Sequence, residues 1–252
     1  MFKRVRKSIH KKCRGVLFGL VATLVFQGCS GHGSIEKFLQ YNKCVGCNLS
    51  NQDFRGANLD QANLENSAFD GADFSGAVLT KSNLKGADLE GTNLSGANLE
   101  DANLSGANLE NSNLEDANLK GIIVAEASFK NANLIGQNLS SINLSGVDLS
   151  GANLTGANLE GRNLAKVDLE NSNLENANLS SVNLTGADLE NANLTGADLK
   201  NANLTDADLE GATGGDLAGA KICRTTMPDG KKSNVSCPEK DTSSFGSLFS
   251  SS

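Results

Sequence analysis

From Leu49 to Leu209 every fifth residue is large and apolar, without a slip: 33 consecutive positions, of which Leu fills 28, Phe four (Phe54, Phe69, Phe74, Phe129) and Val124 the last. Two residues before each lies a smaller position that is Ala in 19 of the 33, and two residues after each lies Gly, Asn or Asp in 27. An α-helix cannot use this spacing. Five residues at about 100° each advance the apolar position by roughly 140° per repeat and scatter Leu around the circumference. In extended backbone, residues two apart share a face, so the Ala and the Leu point inward while the Asn or Asp between them points out. The Gly or Asn that follows supplies the positive φ of a sharp corner. Each pentapeptide is therefore one straight side and one corner of a coil. The competing reading is a disordered acidic segment. Disorder, however, gives no reason to hold Leu in one phase across 161 residues, whereas stacked coils require it.

Units such as Ala97-Asn98-Leu99-Glu100-Asp101 and Ala152-Asn153-Leu154-Thr155-Gly156 follow the pattern A(N/D)LXX and resemble the pentapeptide-repeat family. The resemblance implies an all-β fold, a right-handed quadrilateral β-helix with four pentapeptides per coil. It further implies about eight coils and, at ~4.8 Å per coil, a rod roughly 40 Å long. Both ends of such a stack need lids. Ile35, Phe38 and Leu39 fall at helical spacing within Ser34–Gln40 and suit a short capping helix. At the other end the beat breaks at Gly214-Gly215 and resumes out of phase with Leu217 and Ile222, which predicts an irregular C-terminal cap. The expected organisation is a signal peptide over 1–28, a linker and N-terminal cap over 29–43, the solenoid over 44–211, the C-terminal cap over 212–238 and a flexible tail over 239–252.

The first 28 residues carry seven basic side chains and no acid, and the apolar run Gly15 to Phe26 follows the basic cluster. That run falls short of the roughly 20 residues that span a bilayer, so it reads as an export signal. Phe26-Gln27-Gly28-Cys29 resembles a bacterial lipobox and marks Cys29 as a lipidation site, although such boxes favour Leu and a small residue where Phe26 and Gln27 stand. Plain cleavage and an uncleaved anchor are the alternatives. The expected location is the periplasm or cell envelope, tethered by an N-terminal lipid, or else soluble in the periplasm or a thylakoid lumen. The full chain has a formal charge of −7. Removing residues 1–28 leaves 15 Lys and Arg against 29 Asp and Glu, about −14, a balance that argues against binding nucleic acid through its phosphates.

Within the family frame, Cys44 and Cys47 precede the first coil and Cys223 and Cys237 follow the last, too far away for cross-pairing, since a bridge needs Cα atoms within about 7 Å. The frame implies the disulfides Cys223–Cys237 and Cys44–Cys47. A redox-active CxxC and half of a zinc site stay open as other uses of Cys44-Val45-Gly46-Cys47. That segment and Cys223-Arg224-Thr225-Thr226-Met227-Pro228-Asp229-Gly230 are similar to flanks of exported cyanobacterial members of the family.

Past the signal region the only His is His32, so no imidazole is available within the repeats for a nucleophile or proton shuttle, and no nucleotide- or metal-binding motif appears. The expectation is no enzyme, no cofactor and no metal. If four repeats make a coil, residues 20 apart share a side, and one side is then acidic. It carries Asp70, Glu90, Glu110, Glu170, Glu190 and Glu210 just after the large residue and Asp88, Asp148, Asp168, Asp188 and Asp208 just before it, interrupted near Lys130. The side bearing Ser105, Ala125, Ser145, Ala165, Thr185 and Thr205 is nearly uncharged. The acidic column is either a solvated face or a ladder for cations or a basic partner. The neutral side, or an end of the rod, suits another copy of the chain. Ile122, Ile142, Arg162 and Val182 fall on one side at the small inward position. An inward Arg there would need a partner, so that side should bulge or Arg162 should turn outward.

The leading functional expectation is an exported, lipid-anchored structural or protein-interaction scaffold with an unidentified protein partner. The resemblance also implies an alternative, since some family members mimic B-DNA and bind DNA gyrase, a role the export signal disfavours. A redox protein centred on Cys44 and Cys47 is the third class.

Overall fold

Hydrogen bonding explains the repeat residue by residue. In Ala97–Asp101, the N–H of Ala97 turns back to Leu94 O (2.9 Å), that of Asn98 reaches the preceding coil at Ala77 O (2.8 Å), and those of Leu99 and Asp101 reach the following coil at Asn118 O and Lys120 O (2.9 Å each). The fifth, from Glu100, goes to the Asn98 side-chain oxygen (3.1 Å). Every backbone donor of the unit thus has an acceptor, as a buried wall requires. Where Asn or Asp precedes the large residue, its side-chain oxygen is the acceptor that closes the corner, a side-chain mimic of a backbone turn.

This computed structural model describes residues 42–233 together with Val235 and Cys237. The signal segment, Cys29, the helix expected at 34–40 and the C-terminal tail lie outside the described residues. Parallel bridges join residues 20 apart, from Lys43 with Asn63 to Asp188 with Asp208, so four repeats complete one coil of a β-helix. All 33 large residues are at most 5 % exposed, and the Ala column is buried with them except at Ala57, which is half-buried. Each buried Leu contributes about 1.5–3 kcal/mol of apolar transfer. Near the N-terminal end the aromatics stack: Phe54 lies parallel to Phe74 at 4.8 Å, and Phe69 stands edge-on to both.

Every corner from 51 to 211 has positive φ except Ser141. Gln61, Lys81, Lys166 and Ser181 adopt it at 55–61° although none is a turn former, and each donates its N–H to the following coil, so the ladder imposes the corner against a local cost of about 1–2 kcal/mol. Apart from Leu199, whose N–H makes no backbone bond where the C-terminal coil shortens, the inter-coil ladder among the described residues is broken between 116–126 and 135–145 and again between 141–147 and 160–168.

The C-terminal end closes by shortening the coil. Asn203 bridges Lys221 and Asp208 bridges Thr226, a step of 18 residues in place of 20. β1 (Asn193–Asp198) pairs in parallel with β2 (Thr213–Asp216). Gly214 stands where the beat would set a Leu, and Gly215 follows it. A Cβ on Gly214 would lie 2.5 Å from Thr195 Cα, and one on Gly215 would lie 3.1 Å from Leu194 Cβ, so bare backbone seals the apolar column. A hairpin of β3 (Thr225–Thr226) and β4 (Lys232–Ser233) follows, tied by Cys223–Cys237 and by the Arg224 guanidinium on Asp206 (2.6 and 2.5 Å).

Candidate interaction faces

The 20-residue step places the predicted acidic residues in one column. Asp148, Asp168, Asp188 and Asp208 each accept the N–H two residues on, at 2.9–3.0 Å, through Oδ1; Oδ2 makes no hydrogen bond among the described residues. Nearer the N-terminal end of the column Asp70 accepts from Ser50, and Asp88 from Asn108 at 3.1 Å. Glu170 and Glu190 accept from the corner amides of Asn171 and Asn191 (2.9 and 3.3 Å), and Glu90, Glu110 and Glu210 occupy the same position on other coils. On the other three sides the equivalent position is mostly Asn, and the carboxamides bond from coil to coil, as in Asn118 to Asn98 (2.9 Å), Asn133 to Asn113 (2.9 Å) and Asn183 to Asn163 (2.8 Å). Aspartate has no donor for such a ladder. At ~4.8 Å spacing, adjacent like charges repel by about 1 kcal/mol in bulk water.

Cations do not relieve this column. The ion pairs among the described residues are Arg55 with Asp53 and Asp73, Lys120 with Glu100, Arg224 with Asp206 and Lys231 with Asp229, all elsewhere. There, hydrogen bonds from Arg55, Lys120, Arg224 and Lys231 hold the carboxyls of Asp53, Glu100, Asp206 and Asp229 below the usual range. A bond from Thr80 does the same for Asp60. Among the described residues no cluster of His, Cys, Asp or Glu is arranged to hold a metal ion.

The neutral side is self-satisfied: the hydroxyls of Ser105, Thr185 and Thr205 donate to the Asn two residues before (2.6–2.7 Å). Its one large apolar projection is Ile123, 54 % exposed. It is also where the ladder breaks, so it is not the unbroken flat surface that the repeat pattern predicts. Both outcomes expected for the bulky residues at the small position occur. The wall opens at Ile122 and Ile142, and Arg162 lies partly exposed with its Nε toward Glu160 O (3.4 Å).

Cys44–Cys47 and Cys223–Cys237 are disulfides with Cα separations of 5.5 and 4.6 Å. Ser67 pins the first to the next coil, donating to Cys44 O and accepting from Cys47 N–H (3.1 Å). Two roles escaped the sequence reading. The Asx acceptor at each corner was readable only as an outward polar residue, and Gln137, at the small position, gave no signal beyond being neither small nor apolar.

The family model described as pentapeptide repeats matches in eight copies between residues 43 and 227. Among solved structures, the chain is similar to HetL, a pentapeptide repeat protein involved in heterocyst differentiation regulation from the cyanobacterium Nostoc. That match has 32% identity over 76% of this chain and 87% of HetL, with a TM-score of 0.68. It also aligns with the plasmid-mediated fluoroquinolone resistance protein QnrB1 (22% identity, 74% and 83% coverage, TM-score 0.37). A third alignment is with Rfr23 from the cyanobacterium Cyanothece (25% identity, 75% and 97% coverage, TM-score 0.17). No curated protein matches.

Proposed function

The chain belongs to the pentapeptide-repeat family, a family of right-handed β-helices, and from that premise we propose that it is an exported, lipid-anchored scaffold whose acidic side holds a basic protein partner. The observation that carries this reading is the uncompensated column Asp148–Asp168–Asp188–Asp208. A rod built only to be stable would place Asn there, as its other sides do, and gain a carboxamide ladder. The column instead offers free carboxylate oxygens at one coil spacing, which suits Lys and Arg side chains presented on an extended surface. The repeats supply surface rather than an enclosed pocket, which fits a binding role without catalysis. The apolar leader, the lipobox-like Phe26–Cys29 and the paired cysteines fit a tethered life in an oxidising compartment.

Site-specific photocrosslinking in the native envelope tests the face. Probes replacing Glu170 or Glu190 should capture a partner, probes replacing Thr185 or Thr205 should not, and Asp168→Asn/Asp188→Asn/Asp208→Asn should abolish capture. Equal capture from both sides would end the acidic-face reading. The tether is tested separately: Cys29→Ser should move the protein from the membrane to the soluble envelope fraction, and unchanged partitioning would rule out lipid at Cys29.

A further inference from the structure

The repeat pattern calls for a backbone bond from each large residue and each corner to the coil that follows. Between 116–126 and 135–145 none of these forms: the N–H groups of Asp116, Leu119, Gly121, Val124 and Glu126 find no carbonyl on the next coil, and Asn138 and Asn143 find none on the previous one. The break continues upward, because Ser141, Leu144 and Gly146 do not reach the coil after them, nor do Asn163 and Asp168 reach back. One coil earlier the same rungs are intact: Leu99 to Asn118, Asp101 to Lys120, Leu104 to Ile123 and Gly106 to Ala125, at 2.7–2.9 Å.

The cause is written in the small inward column. Ala is usual there, but the broken coil carries Gln137, Ile142 and Val147 at three successive small positions, all buried, with Ile122 below Ile142 and Arg162 above it. Branched side chains stacked where methyl groups fit hold the coils apart. Ser141 is the one corner that does not take positive φ. A void of about 10 Å³ lies among Ile122, Val124, Leu139, Ile142 and Leu144, lined by apolar side chains, so the core is underfilled where the wall is split. The one hydrogen bond that replaces the lost rungs is from a side chain, Gln137 Nε2 to Leu114 O at 2.7 Å.

We infer that this stretch is a built-in seam at which the rod opens locally, dividing the solenoid into two stacks that each unfold as a unit. In a solenoid the coupling between halves is carried by nearest-neighbour interfaces alone, so an interface without its backbone ladder sets where the molecule opens. Residue-resolved hydrogen exchange on the full chain tests it. The amides of Leu119, Gly121, Val124, Ser141, Leu144 and Gly146 should exchange at least about 100-fold faster than those of Leu99, Asp101, Leu104 and Gly106. Ser141→Asn/Ile142→Ala restores the Ala-Asn-Leu unit at 142–144 and should bring the seam amides to within about threefold of that reference set, with Ile122→Ala as a second route to the same closure. Seam amides already as slow as the reference set in the unmodified chain would overturn the seam. Fast amides that neither folded variant slows would overturn its assignment to these bulky residues.

Discussion

A corner asparagine and the glycine one coil later form a matched pair. The Asn66 side-chain oxygen lies 2.3 Å from where a Cβ on Gly86 would stand, and Asn51 over Gly71, Asn176 over Gly196 and Asn191 over Gly211 repeat the arrangement. Gly76 has nearly the same backbone (φ 63° against 64°) but nothing within 4 Å of that point. Gly76→Ala should therefore cost only the strain of positive φ, about 1–2 kcal/mol. Gly86→Ala should cost about 0.5–1.5 kcal/mol more, because the Asn66 side chain must leave its rotamer. Adding Asn66→Gly should return Gly86→Ala to the Gly76→Ala value. Urea unfolding of the four proteins measures this, and equal costs at Gly76 and Gly86 would show that the carboxamide does not constrain the corner. The five-residue beat identifies the corners but not this pairing, which emerges only when residues 20 apart are set side by side.

Among the elements, the walls were legible and their spacing was not. Phase is a property of each pentapeptide, so Leu49 to Leu209 announced the inward column, and the break at Gly214-Gly215 announced the cap. Whether two coils touch depends on side chains contributed by both. Ile122, Ile142 and Arg162 stood out as bulk on one side, whereas the parts of Gln137 and Val147 in spreading the same coil required the structure. The acidic column was legible as a column; that its Oδ2 atoms go unbonded while Asn ladders close the other sides was not, since that comparison needs hydrogen bonds. The cap hairpin gives an element-scale prediction. Arg224 donates two hydrogen bonds to Asp206 and holds its carboxyl below the usual range. A carboxyl depressed on folding adds stability above its unfolded pKa, near 3.9, and loses it as pH falls through the lower native value. Protection of the β3–β4 amides should thus be constant from pH 7 to about 5 and fall on further acidification, whereas Asp206→Asn should lower it at neutral pH and flatten that dependence. Identical pH profiles in the two proteins would remove Asp206 from the cap's stability. Because the pair is exposed, the effect should be small and screened by salt.

At the scale of the whole rod, the acidic side poses a test between fold and function. Asn at 168, 188 and 208 would keep the Asx acceptor that closes each corner and add the coil-to-coil donor seen at Asn183 and Asn163. It would also remove a column of like charges that repel through one another's fields and are opposed by no ion pair among the described residues. Asp168→Asn/Asp188→Asn/Asp208→Asn should therefore melt a few degrees higher than the unmodified chain at ~0.01 M salt, where the Debye length of ~30 Å lets the whole column interact. The advantage should shrink at 0.15 M, where the screening length is about 8 Å, without vanishing, since the added carboxamide bonds do not depend on salt. The same variant should lose the basic partner. Stability gained together with binding lost means that the rod holds these carboxylates for the partner, against the interest of its own wall. A variant that melts lower would mean that the aspartates serve the corners better than asparagine does, and the acidic side would then be a feature of folding alone.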